Sequence, residues 1–322
     1  MKIGTIGTSW ICEAFISAAK HVGGYEFKAA YSRTQEKAEA YAKKHGFEKC
    51  YTNLTEMAKS DIDAVYIASP NSFHYEQTKL FLENGKSVIC EKPATTTKEQ
   101  ELELLELSDK KGLIYTEAIK SLYVPAFDIL KNEVAKLGQI RTVNFVFCQL
   151  SSKYSAYLRN ECPNIFNPKM HTGCLMDIGV YNIYLAAALF GMPEKIISNS
   201  IFLNTGADAS GISLLCYKDM TVNLIYSKVG QNYSPSEIIG DRGTISINSL
   251  SQLVGIDLIK DGKRENLIPY NMPQHEIMGA EAASFRDAVL YGKNEKTEFV
   301  KTTSLLVREI TDEIKKQNCF LF

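Results

Sequence analysis

The chain has 322 residues, of which 45% are hydrophobic and 23% charged, and its formal net charge is -1. That is apolar material for two packed domains, and the balanced charge excludes the strong field of a nucleic-acid or anionic-membrane binder. The opening Met1-Lys2-Ile3-Gly4-Thr5-Ile6-Gly7 is too short and too glycine-broken for a secretory leader, and with no run of about 18 apolar residues no membrane span is expected. The cysteines at 12, 50, 90, 148, 162, 174, 216 and 319 form no CxxC pair and mostly sit in apolar runs. They read as small buried side chains of a reducing, cytoplasmic compartment, without disulfide or metal-ligand spacing. The five histidines are dispersed, and no metal site is expected.

Residues 2–6 read as a buried strand, followed by a tight turn and a helical pattern through Phe15, Ile16, Ala19 and Val22. The spacing matches a dinucleotide fingerprint with Gly7, Ser9 and Cys12 at its three positions. Ser9 replaces the second glycine; it is small, and can cap the helix or donate to a phosphate. Gly7, Thr8, Ser9, Trp10 and Ile11 are therefore candidate cofactor contacts. A second strand, Glu26 to Tyr31, ends in Ser32-Arg33-Thr34. An NAD-specific site carries an acidic residue there to hold the ribose 2′-hydroxyl. A hydroxyl and a guanidinium suit a 2′-phosphate instead, so Ser32 and Arg33 point to NADP(H) in preference to NAD(H); the alternative is a solvated loop arginine.

The alternation continues with a short strand at Lys49–Tyr51, a helix at Leu54–Lys59 and a strand at Ala64–Ala68 broken by Ser69-Pro70-Asn71. Ser72–Asn84 is helical, with His74 in its first turn, placed either beside the nicotinamide end of a cofactor or as a cap. Val88–Cys90 reads as a strand buried on both faces and ends in Glu91-Lys92-Pro93. Ligands bind at the carboxyl edge of such a sheet, and Pro93 restricts Lys92, which makes Lys92 a positioned cation or else a solvated turn lysine. A helix at Lys98–Lys111 and a strand at Leu113–Thr116 complete a doubly wound parallel sheet of the Rossmann type.

Beyond residue 120 the pattern changes. A helix near Val124–Lys136 precedes a long strand at Gln139–Ser151 and an irregular stretch at 153–172, the kind that covers a site. A helix then runs from Gly173 to Phe190. Six strand-like runs follow: 196–202, 212–217, 221–227, 237–239, 244–247 and 253–259. They predict an open, mostly antiparallel sheet in an α+β domain. Helices at His275–Tyr291 and Thr302–Lys316 close the chain. The expected division is a dinucleotide-binding domain at 1–120 and a substrate-binding and oligomerisation domain at 121–322, whose C-terminal helix can pack back on the first.

In order, the chain thus carries the Gly7 turn, Ser69-Pro70-Asn71 with His74, Glu91-Lys92-Pro93 after a strand, and Gly173-Cys174-Leu175-Met176-Asp177-Ile178-Gly179-Val180-Tyr181. This resembles the Gfo/Idh/MocA family of NAD(P)-dependent oxidoreductases over nearly the whole length. The resemblance implies that Lys92 is the active-site lysine and that Asp177 lies beside substrate. The fourth residue after that Asp is Tyr181, as in members of the glucose–fructose oxidoreductase and dimeric dihydrodiol dehydrogenase type, where inositol dehydrogenase-like members carry His. It also implies a substrate domain whose exposed sheet face pairs subunits, hence a homodimer or higher oligomer.

Elementary chemistry agrees with those roles. Asp177 and Tyr181, spaced i and i+4, share one helix face. Oxidising a C–OH group requires loss of its proton, and a phenol with an ordinary pKa near about 10 needs a cation beside it to serve as base. Tyr181 is therefore the expected acid/base, Lys92 its electrostatic partner and substrate-oxygen ligand, and Asp177 the substrate orienter; Lys92 and Tyr181 can exchange the proton-donor role. Ser69, Pro70, Asn71, His74, Glu91 and Lys92 join the cofactor candidates, and Tyr154 and Arg159 the substrate candidates. The expected activity is hydride transfer between NADP(H) and a sugar, polyol or dihydrodiol-like small molecule, with no nucleic-acid, membrane or metal partner. The alternatives are a glycosidase-type enzyme with tightly held NAD and a non-catalytic dinucleotide sensor.

Overall fold

The computed structural model describes residues 1–322, which divide into two compact units. The first comprises Met1–Tyr123 and Pro273–Thr302, the second Val124–Met272 and Thr303–Phe322. Against the expected 1–120 and 121–322, residues 273–302 sit with the first unit.

The first unit runs β1 (Lys2–Ile6), α1 (Trp10–Val22), β2 (Glu26–Tyr31), α2 (Gln35–His45), β3 (Lys49–Tyr51), α3 (Leu54–Ala58), β4 (Ala64–Ile67), α4 (His74–Glu83), β5 (Ser87–Glu91), α5 (Lys98–Lys111), β6 (Tyr115–Ala118) and α6 (Lys120–Tyr123). Its strands are all parallel, in the order β3-β2-β1-β4-β5-β6. Chain direction across the sheet reverses between β1 and β4, the switch point where such sheets open a crevice at the strand ends. The continuous apolar runs explain the burial: all four residues of β4 are buried, as are Ser87 through Cys90 of β5. Phe15 of α1 stacks on Tyr66 of β4 with ring centroids 3.8 Å apart, an arrangement worth about 0.5–1.5 kcal/mol beyond simple burial.

The second unit contains α7 (Pro125–Val134), β7 (Ile140–Cys148), α8 (Tyr154–Leu158), α9 (Val180–Phe190), β8 (Lys195–Phe202), β9 (Asp208–Cys216), β10 (Thr221–Ser227), β11 (Ser236–Gly240), β12 (Gly243–Ser249), β13 (Val254–Lys260) and β14 (Lys263–Ile268). Its eight strands lie in the order β14-β13-β12-β11-β7-β10-β9-β8. Only the β7–β10 pair is parallel. One face is core, with Val143, Phe145, Leu215, Val222 and Leu224 fully buried. On the other face Ile212, Ile225 and Val146 stand in one cross-strand row, and Ile197, Ile201, Ile212 and Ile239 are exposed.

Two helices complete the chain: α10 (Gln274–Tyr291), which packs on α1 in the first unit, and α11 (Glu295–Gln317), whose residues up to Thr302 belong to the first unit and the rest to the second. Within Pro168–Phe190 an 18-residue window has a mean hydropathy of 1.5, long and apolar enough by composition to cross a membrane, a run not anticipated from the sequence; 78% of that window is buried within the protein, as in a core helix. All eight cysteines are free, but only Cys12, Cys90 and Cys174 are fully buried, while Cys162 and Cys319 are exposed. Strand β14 went unrecognised because Lys263-Arg264-Glu265-Asn266 is an exposed, charged edge with no apolar alternation.

Candidate active site

In the first unit the turn after β1 brings the chain against the end of β4. Gly7 has φ 114°, and a Cβ there would lie 2.5 Å from the Ala68 carbonyl oxygen. Only glycine closes this turn. It leads into the N-terminus of α1, whose first amides lack helical partners and favour an anion. Ser9 sits at the cap position without a side-chain capping bond, so its hydroxyl is not spent on the helix. Thr8, Ser9 and Trp10 are exposed, and Ile11 is half-buried. Cys12 is fully buried beneath the turn, where desolvation pushes its thiol up to about 12; it is the small packing residue of the fingerprint. At the end of β2, Ser32 is buried with its amide donating to Tyr51 O, while Arg33 is exposed. A glycine cradle, an unspent hydroxyl, a helix N-terminus and an exposed guanidinium at these strand ends fit a phosphorylated dinucleotide.

The β4 and β5 ends are tied together by His74. Its Nδ1 lies 2.8 Å from Pro93 O and its Nε2 2.7 Å from Ser69 O, and the residue is 1% exposed. Burial lowers its pKa despite the two carbonyls. His74 lies between the Ser69-Pro70-Asn71 turn and the Lys92-Pro93 turn, and as a neutral ring it donates its one N–H to one of the two carbonyls. Ser69 Oγ likewise turns inward, donating to Gln77 Oε1 at 2.7 Å. Pro70 and Asn71 form the half-buried turn that opens α4. Glu91 Oε1 accepts the Tyr66 hydroxyl at 2.5 Å, which ties the end of β5 to β4. Lys92 is partly exposed just past β5, and the Lys92–Pro93 peptide is cis.

In the second unit the site helix differs from the uninterrupted α-helix the sequence predicts. Leu175–Gly179 form one π turn, and α9 continues from it. Such wide turns are rare and concentrate at functional positions. Gly179 lets the turn lie flat on the Tyr226 ring of β10, where a Cβ would sit 3.0 Å from the ring. Asn182, fully buried, donates to Phe145 O and Ile225 O, each at 3.1 Å. It fixes the helix to both parallel strands, and with it the neighbouring Tyr181. Tyr181 is 8% exposed, its ring 6.0 Å from that of Phe147. Asp177, in the wide turn, is half-buried.

Lys228, which the sequence reading passed over, completes this cluster. Its Nζ donates to Asp177 Oδ2 at 2.6 Å, with its side chain only 10% exposed against 30% for Asp177. Lys228 follows the apolar run of β10, the same signal that singled out Lys92 after β5. The pair presents a carboxylate and an ammonium side by side without net charge, a surface able to accept from one hydroxyl and donate to another. The two loop candidates are otherwise occupied. Arg159 is exposed and paired with Glu161 at 2.8 Å. Tyr154 packs in an aromatic group with Tyr157 and Phe166, so it builds the 153–172 segment. That segment is not irregular throughout: α8 and two 3₁₀ turns, Asn164–Phe166 and Pro168–Met170, order it.

Comparison with known proteins places the whole chain. Residues 1–119 match the family described as an oxidoreductase family with an NAD-binding Rossmann fold, and residues 133–246 match the GFO/IDH/MocA C-terminal domain. The chain is 38% identical to scyllo-inositol 2-dehydrogenase (NADP(+)) IolU of Bacillus subtilis over 98% of its length and 97% of that protein. It is 26% identical to a trans-1,2-dihydrobenzene-1,2-diol dehydrogenase of Xenopus tropicalis over 91% of its length and 90% of that protein. Among solved structures, KijD10, a 3-ketoreductase from Actinomadura kijaniata in complex with NADP and TDP-benzene, superposes with a TM-score of 0.87 at 21% identity, covering 99% of this chain and 98% of that one. The relatives thus include both inositol-type and dihydrodiol-type dehydrogenases, a wider group than Tyr181 by itself suggested.

Proposed function

We propose, for a chain that belongs to the Gfo/Idh/MocA family of oxidoreductases, that it moves a hydride between NADP(H) and the CH–OH or carbonyl carbon of a cyclic polyol, sugar or dihydrodiol-like molecule. The observation that carries the substrate class is the Asp177–Lys228 pair beside Tyr181. Neutral polyols offer vicinal hydroxyls, which such a pair binds without requiring a charged ligand. The dehydrogenase names of the relatives support this reading over a glycosidase or a sensor.

The residues divide the work. Gly7 to Ile11 receive the pyrophosphate at the α1 N-terminus, and Ser32 with Arg33 the 2′-phosphate. When bound, the nicotinamide supplies the carbon that accepts or donates hydride. Tyr181 takes the hydroxyl proton as the C–H hydride leaves, and returns it in the reverse direction. Lys92 is assigned as a donor to the reacting oxygen. Asp177 accepts from a neighbouring substrate hydroxyl, and Lys228, 2.6 Å from its Oδ2, holds that carboxylate in place. His74 acts only through the two turns it braces.

Arg33→Asp tests the cofactor half. Losing a charge-assisted contact and adding a repulsive one weakens NADPH by roughly 10- to 100-fold more than NADH, read by fluorescence titration of each. Equal weakening of the two removes Arg33 from 2′-phosphate recognition. The exposed isoleucines of the open sheet face support pairing with a second copy. Light scattering at micromolar protein should give twice the chain mass, and one chain mass discards the dimer. The eight free thiols fit a reducing compartment, for which we propose the cytoplasm.

A further inference from the structure

Asp208 opens β9 and is 1% exposed. Its Oδ2 accepts the Leu175 N–H, in the first turn of the site helix, at 2.6 Å. The amides of Cys174 and of Asp208 itself lie on the same carboxyl, yet Oδ1 meets no donor in hydrogen-bonding geometry. The fit is tight: a Cβ on Gly173 would lie 1.9 Å from Oδ1. One residue further along β9, Ala209 O accepts the Lys228 N–H at 2.8 Å. Lys228 Nζ then reaches Asp177, whose own N–H donates to Gly173 O at 3.2 Å. Helix turn, ion pair and strand end therefore form one closed circuit, with Asp208 as its buried corner.

We propose that Asp208 is a positioning residue, a buried clamp that holds the first turn of the site helix to β9 and so sets the Asp177–Lys228 pair that receives substrate. This rests on the polyol-dehydrogenase reading above. A carboxylate costs more to bury here than an amide or an apolar side chain, and a strand start needs no charge; the helix amides it collects give the charge a purpose. The groups facing it are Cys174 and Asp177 from the helix and Tyr226 from β10, with Lys228, just past β10, beside Cys174. Burial, with the nearby Asp177 carboxylate adding to it, pushes its carboxyl up to about 7. The clamp therefore tightens as pH rises through neutrality and the carboxylate forms. Stability has the opposite sign. The folded pKa lies above the ordinary 3.8, so the folded state gains nothing below that value and loses stability as pH rises toward 7.

The test is Asp208→Asn, which keeps one oxygen for the Leu175 amide and removes the charge. The readout is acetylation of Lys228, measured by mass spectrometry relative to the exposed Lys218 of the same unit. In the wild type this ratio should fall as pH rises through about 7; in the variant it should be flat and, at alkaline pH, about tenfold higher. With NADP⁺ and scyllo-inositol, the KM of the variant should rise about tenfold with kcat changed less, a modest loss for a misplaced binding pair, while NADPH affinity stays the same. A purely structural role would alter only the pH slope of the melting curve. A folded variant with the wild-type ratio, pH dependence and KM overturns the proposal. Should the variant not fold, a wild-type ratio without a step near neutrality overturns it just as well. A wild type that turns over no polyol removes the functional reading, and the Lys228 ratio still decides Asp208.

Discussion

Lys92→Ala lowers turnover by at least about 100-fold, the lower end of what an acid/base partner contributes, while NADPH binding persists. The reasoning starts from placement. Lys92 follows a strand buried from Ser87 through Cys90, and buried His74 packs between the two turns at the sheet edge, its ring nitrogens 2.7 Å from Ser69 O and 2.8 Å from Pro93 O. The ammonium is thus held by backbone that the substitution leaves alone, so a folding defect is not expected. The cofactor contacts we assign to Gly7, Ser9 and Arg33 are also untouched. Steady-state kinetics with a fluorescence titration separates the two effects: loss of turnover with intact binding is the expected result, and unchanged turnover would remove Lys92 from the chemistry.

Tyr181→Phe has a comparable effect, roughly 100-fold or more on kcat, because it removes the hydroxyl assigned as acid/base while keeping the ring. The ring packs near Phe147, and the helix is pinned by Asn182 and by Gly179 on Tyr226, so the variant should melt near the wild-type temperature. KM should change little, since the hydroxyl acts in proton transfer more than in ground-state binding. A variant that instead loses affinity while keeping kcat would assign Tyr181 to binding and leave the proton to Lys92.

The first unit was largely legible because its signals are local. Gly7 marks a turn that only glycine can make, and apolar runs such as Val88–Cys90 announce strands buried on both faces. Arg33 stood out by replacing an acid. In the second unit the signals are spread over distant segments. Lys228 meets Asp177 across 51 positions, and nothing local says that a lysine after β10 will turn toward a helix. The wide turn at Leu175–Gly179 depends on Tyr226 from another strand, which periodicity along the helix cannot report. The position of His74 in a first turn is visible in the sequence, whereas the two backbone carbonyls beside its ring come together only when the β4 and β5 ends meet. Tyr154 and Arg159 were chosen as polar residues in a long connection, yet local aromatic packing and Glu161 claim them.

The most direct test is to incubate the purified protein with NADP⁺ and scyllo-inositol deuterated at its ring carbons, and to follow NADPH formation and its isotope content. NADPH carrying one deuterium per turnover, formed by the wild type and not by Lys92→Ala, is the expected result. A protein that binds NADPH yet forms none from scyllo-inositol, from other cyclic polyols and sugars or from a trans-dihydrodiol would contradict hydride transfer at this site.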